Sequence, residues 1–128
     1  MEDDYDEVCL LVPPRTSHLR AARLVAAEAG GQAGFDRNEL DDLRVAVGEL
    51  CYTLMDATDQ RLLLRLVVRG GRVIVRGSAP KRRGAAAPRL AGVSALIVDA
   101  VTDHHALAVD GERMSFVLVK SAASAVSA

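Results

Sequence analysis

The stretch from Asp36 to Met55 constrains the fold more than any other part of this chain. Asp36 can accept a hydrogen bond from a free helix N–H, and Glu39 stands three residues on, so the pair spells a capping box. Leu40, Leu43, Val47, Leu50 and Leu54 then recur at helical spacing and give the segment one apolar face. A long helix with a single apolar stripe has to lie against another layer of structure. Glu49 falls among the apolar positions, between Val47 and Leu50, where a carboxylate must find a partner or a task.

The rest of the chain supplies that other layer. Val8 to Val12 reads as a first strand, closed by Pro13-Pro14, which end pairing. Thr16 or Ser17 can cap a helix running to about Ala29, where Gly30-Gly31 supplies a stop. Arg61 to Arg69 and Arg72 to Arg76 flank Gly70-Gly71, a hairpin signal, and Ser78 to Pro88 reads as a loop. Leu90 to Val101 returns to helix. His105 to Val109 and Arg113 to Lys120 form a second hairpin around Asp110-Gly111. The expected architecture is a two-layer α/β sandwich, a mixed, roughly five-stranded sheet covered on one face by three helices. Residues 1–120 form one domain, and the small-residue stretch 121–128 is expected to be a disordered tail.

Composition narrows the function classes. Half of the 128 residues are hydrophobic and 26% are charged, as in a globular protein. A formal net charge of −1 provides no overall field toward nucleic acid or anionic membrane. Tyr5, Phe35, Tyr52 and Phe116 are the only aromatic residues, too few for a base-stacking platform. The acidic N-terminus (Glu2, Asp3, Asp4, Asp6, Glu7) is the opposite of a signal peptide, and no apolar run approaches a membrane span. The expected location is therefore the cytoplasm. Cys9 and Cys51 follow no metal spacing and are expected to be buried, reduced thiols. His104 and His105, adjacent on a strand, point to opposite faces and cannot share one ion, so no metal site is expected.

The Glu49 helix, in this element order, resembles the N-box helix of the GHKL ATPase fold, in particular the small anti-sigma-factor serine kinases of bacteria. In that family the helix carries a Glu, which orients the attacking hydroxyl, and four residues later an Asn that coordinates magnesium. Glu49 stands at the first position and Thr53 at the second. The family's adenine-reading Asp would fall after the Arg72 to Arg76 strand, where Arg76, Gly77 and Ser78 stand and none is acidic. Its phosphate-cradling glycine segment corresponds to Leu90-Ala91-Gly92-Val93, which keeps Gly92 alone. The resemblance thus implies Glu49 as a remnant base position and Thr53, Gly77 and Gly92 as the matched nucleotide-site positions of a degenerate member. Glu49 would then be satisfied by Arg44, Arg61 or a backbone donor. Lys81, Arg82, Arg83 and Arg89 are a solvated loop, a replacement phosphate clamp or a docking patch for an acidic partner.

No cofactor is expected on this reading, with ATP and magnesium as the alternative. The implied function is a regulator, leaning away from catalysis, that binds a protein such as a sigma factor or an anti-sigma antagonist. The family resemblance also implies pairing as a homodimer. The alternative is an active ATP-dependent serine kinase with a rearranged site. The helical side, around Arg20 and Arg23 with Leu19 and Leu24 as apolar anchors, is expected to meet the partner.

Overall fold

Capping and turn chemistry divide the chain into one sheet and the helices that cover it. A computed structural model describes residues 5–126. Glu2, Asp3 and Asp4 of the acidic N-terminus, and tail positions 127–128, lie outside them. The elements are β1 (Tyr5–Val12), α1 (Leu19–Gln32), α2 (Arg37–Met55), β2 (Leu62–Arg69), β3 (Arg72–Pro80), α3 (Gly92–Val101), β4 (His104–Asp110), β5 (Arg113–Ser121) and a short α4 (Ala123–Val126). No helix among the described residues is long and apolar enough to cross a membrane.

The α/β architecture is the expected one, but the sheet is antiparallel throughout rather than mixed. Its order is β1-β2-β3-β5-β4, and every neighbouring pair runs antiparallel. The connections explain this. Between β1 and β2 the chain makes two helices, out and back, so β2 starts where β1 ended and runs against it. Between β3 and β4 it makes one helix, which leaves those strands parallel, but β5 inserts between them and opposes both.

One face of the sheet meets the helices. Leu62, Leu64, Leu66, Val73, Val75, Met114, Phe116 and Leu118 alternate along β2, β3 and β5 and are all buried. Leu43, Val47, Leu50 and Leu54 of α2 are fully buried against them, with Leu40 half-buried at the edge. Each buried Leu or Val removes apolar surface worth about 1.5–3 kcal/mol, so this stripe is the main attachment of α2. The capping box is present. Glu39 N–H donates to Asp36 Oδ1 and Asp36 N–H donates to Glu39 Oε1, both at 2.8 Å.

Several boundaries move. Helix α1 continues through Gly30-Gly31 to Gln32, because Gly30 is used for packing and not as a stop: a Cβ there would lie 2.7 Å from Leu40 Cδ2. Neither Thr16 nor Ser17 caps α1. Both sit in a 3-10 turn, and His18 is the cap position without a side-chain bond. Strand β3 runs on to Pro80, tolerated at a strand end, and buries Ala79. The second hairpin closes Asp110 against Arg113, so its loop is Gly111-Glu112, with Gly111 at φ +65°. Positions 121–126 are structured where a disordered tail was expected. Ser121 ends β5, Ala122 is buried with its N–H on Gly71 O, and Ala123 N–H donates to Glu39 Oε2 at 2.7 Å.

Candidate functional site

A cleft of about 370 Å³ opens between the last turns of α2 and the segment that follows β3. Tyr52, Thr53 and Asp56 form its α2 wall, and Arg82, Arg89 and Ser94 line the opposite side with a run of alanines. The α2 wall follows from helical spacing, since residues 52, 53 and 56 share one side of the helix. The opposite wall is held by backbone bonds at its start. Lys81 N–H donates to Glu112 O at 2.6 Å, and Arg82 N–H donates to Ala57 O at 2.7 Å. The Lys81 ammonium then donates to Ala85 O at 2.7 Å and folds the segment back on itself. Thr58, buried, donates to Pro80 O and so ties the end of α2 to the end of β3.

The charges at the cleft are lopsided. Arg82 Nη2 donates to the Asp56 carbonyl at 3.3 Å, and Arg82 lies 3.7 Å from the exposed Asp59 carboxylate. Pairs this exposed contribute little to stability. Arg89 is exposed and has no hydrogen-bond or ion-pair partner among the described residues. Asp56 is the single carboxylate among the lining residues.

The residues singled out from the sequence do not converge. Thr53 lines the cleft, but its hydroxyl donates to the carbonyl of Glu49 at 2.8 Å, the back-bond common for threonine inside a helix. Glu49 is half-buried and is not among the cleft's lining residues. Its carboxylate has no hydrogen bond or ion pair among the described residues: neither Arg61 nor a backbone donor reaches it, and Arg44 pairs instead with Asp41 at 2.7 Å. Gly77 lies outside the cleft, and the ring of Phe116 fills the space where its side chain would be. Gly92 opens α3 at φ +60°, with open space where a Cβ would be; its left-handed backbone is what needs glycine. Of the basic loop, Arg82 and Arg89 reach the cleft, and Lys81 and Arg83 do not line it. Magnesium on a nucleotide wants several hard oxygen ligands in near-octahedral array. One carboxylate, the committed Thr53 hydroxyl and the hydroxyls of Tyr52 and Ser94 do not assemble the donor set that the resemblance implies, which has an Asn amide oxygen on α2 and an adenine-reading Asp.

Two features of this cleft escaped the sequence: Tyr52, half exposed, and Asp56. The signal that could have found them is their placement one and three residues from Thr53, on the same helical side. The histidines part as expected. His104 is exposed, while His105 Nε2 sits 3.3 Å from Asp99 Oδ1 of α3. No group of three or more His, Cys, Asp or Glu among the described residues is placed to hold a metal ion. Cys51 is buried, and burial pushes its thiol up to about 12, with Arg23 acting weakly the other way. Cys9 is exposed, contrary to expectation, because its position on β1 faces away from the helices. On the helical side Leu19 is core and Leu24 is exposed. Arg23 is laid across α2, its Nε 2.9 Å from where a Gly48 Cβ would be.

No protein-family model matches the chain, and no curated protein sequence does. Solved structures match it in fold. One is the crystal structure of the RsbU and RsbW domains of Rv1364c from Mycobacterium tuberculosis, with a TM-score of 0.67 and 13% identity over 91% of this chain. The present chain spans 33% of that protein's chain. Another is the SiaB–SiaC complex from Pseudomonas aeruginosa, with a TM-score of 0.65 and 12% identity, covering 88% of each chain. At such identities the likeness is one of architecture: this chain's antiparallel sheet and helical layer share the α/β fold of those structures.

Proposed function

We propose that this chain is a regulator that works by binding another protein, on the scaffold of the anti-sigma serine kinases, with a nucleotide site too degenerate to hold magnesium-ATP. The observation that carries the reading is the Thr53 hydroxyl spent on the Glu49 carbonyl, in a cleft whose lining includes one carboxylate, Asp56. A sigma factor, or a protein mimicking its antagonist, is the partner the resemblance favours, and the cytoplasm is the place. A neighbour in fold solved as a complex of two proteins, SiaB with SiaC, supports a protein partner. Calorimetry with ATP and magnesium tests the proposal. Losing the magnesium Asn and the adenine-reading Asp costs about 1–3 kcal/mol each, so affinity should fall roughly a hundredfold or more below a working site. A low-micromolar dissociation constant overturns it.

A second reading, an active serine kinase with a rearranged site, is favoured by one observation. Arg82 and Arg89 flank the same cleft as Thr53, and guanidinium forks suit phosphate oxygens. In that case Arg82 and Arg89 would hold the phosphates of ATP, with Glu49 as the base. Transfer of label from ATP to a serine-bearing protein substrate would decide for this reading.

A further inference from the structure

The sheet has a second face that no described helix covers. The pairing register lays its residues out in rows across the strands. One row reads Leu11, Leu63, Ser78, Ser115, Ala108, the next Cys9, Arg65, Arg76, Val117, Ala106, and the third Glu7, Val67, Ile74, Val119, His104. A fourth row sets Arg69 opposite Arg72. The face therefore mixes aliphatic with polar positions, and a shallow depression of about 290 Å³ is bordered by Leu63, Ala106 and Val117 on its apolar side and by Arg65, Arg76 and Ser78 on the other.

Its charge is unlike that of the chain as a whole. Among the described residues, Arg65, Arg69, Arg72, Arg76 and Arg113 stand on this face with the carboxylates of Glu7 and Asp110, in a chain whose formal charge is −1. Arg65 faces Arg76 directly across the strands, as Arg69 faces Arg72. Like charges directly opposite one another destabilise a sheet. Glu7 pairs with the first of these, with Nε and Nη2 of Arg65 both 2.7 Å from Glu7 Oε2. Arg76 is exposed and has no hydrogen-bond or ion-pair partner among the described residues.

We propose that this open face is a docking surface for an acidic protein segment, one whose carboxylates alternate with aliphatic side chains. A carboxylate of that segment bridges Arg65 and Arg76, and an aliphatic neighbour fills the depression beside Val117. Charge complementarity selects this occupant. A second copy of the chain would set the same excess of guanidinium against itself. Nucleic acid would want stacking rings along its centre; by register Tyr5 and His104 stand on the outer strands β1 and β4, and the central strands carry Val67, Ile74, Val117 and Val119 between the guanidiniums. The inference rests on the reading of the chain as a protein-binding regulator, and it adds the surface and the chemistry of the partner.

The test uses a capped peptide alternating glutamate with leucine, and its lysine-for-glutamate counterpart, followed by amide NMR shifts on the full chain. The glutamate peptide should shift resonances around Arg65, Arg76, Ser115 and Val117, and the lysine peptide should not. Arg76→Glu should weaken binding by about 10–100-fold, the loss of one charge-assisted contact. The same variant places a glutamate opposite Arg65, so its Tm should rise by about 1–4 °C. Shifts on the helices instead, equal binding of both peptides, or a fall in Tm of Arg76→Glu overturns the proposal. So does sedimentation showing a dimer that Arg76→Glu dissolves, or stronger shifts on this face from oligouridylate than from the peptide. The ATP measurement does not involve this face, so the regulator reading and the docking surface can fail separately.

Discussion

Gly77→Ala discriminates between two roles for the glycine at the matched adenine position. In a nucleotide site, glycine at this point lets the backbone approach a ligand. Here the space beside Gly77 already holds the ring of Phe116, its partner across β3 and β5. A Cβ would lie 2.6 Å from Phe116 Cζ and 2.9 Å from Cδ2, with Cε2 closer still. Those separations fall well short of ordinary contact, and the ring is pinned in turn, since Phe116 is 2% exposed between the buried Met114 and Leu118. Overpacking of this kind costs about 1–3 kcal/mol. Replacing glycine in a strand returns about 0.5–1 kcal/mol of backbone entropy. The net expectation is a loss of about 1–2 kcal/mol, read in urea as a lower midpoint with an unchanged slope. Phe116→Leu should relieve the clash, so the double variant should be more stable than the sum of the single losses by about 1 kcal/mol. A higher midpoint for Gly77→Ala, or strict additivity in the cycle, refutes the packing account.

Two further expectations follow from the core. Leu50→Ala, at a fully buried position of α2, should cost about 2–5 kcal/mol in urea unfolding, and an unchanged midpoint would mean that α2 does not bury this side. Cys51, with its thiol pushed from an ordinary 9.0 to about 12, keeps its proton when folded over a range where the unfolded chain loses it. Stability is therefore intact below about pH 9 and falls as pH rises toward 12, by up to about 1.4 kcal/mol per unit. The stability gap between wild type and Cys51→Ala should narrow between about pH 8 and pH 10.5; a constant gap contradicts the burial effect. In the same native protein, iodoacetamide should label Cys9 and leave Cys51.

What could be read from the sequence was local. The capping box of Asp36 and Glu39 and the stripe through Leu43, Val47, Leu50 and Leu54 lie within one helix, and both are present as read. The Gly70-Gly71 hairpin likewise depends on neighbours in the chain. Strand direction did not, because it is set by how many helices each connection contains and by where β5 inserts. Gly30 read as a helix stop because its real use, making room for Leu40, involves a residue on another helix. The two-layer α/β fold was legible in the order of elements around the Glu49 helix. The cleft was only half legible. Thr53 marked its α2 wall, but the far wall depends on bonds from Lys81 and Arg82 to Glu112 and Ala57, which no motif announces. Gly77 matched by position and turned out to face Phe116, since a motif match records spacing and not what occupies the space.

The insertion of β5 between β3 and β4 has a consequence for how the chain is made. Met114, Phe116 and Leu118 complete the core, and they arrive on the last strand of the sheet to be synthesised. Until β5 leaves the ribosome, β3 presents an unpaired edge and the helices cover a core with a missing wall. Neighbouring chains can pair with such an edge. Edge closure and core closure are then one event, delayed until β5 emerges and dependent on contacts distant in sequence. A nascent chain of this protein is most exposed to misassembly in the interval between the emergence of β3 and that of β5, where a chaperone would have most to shield.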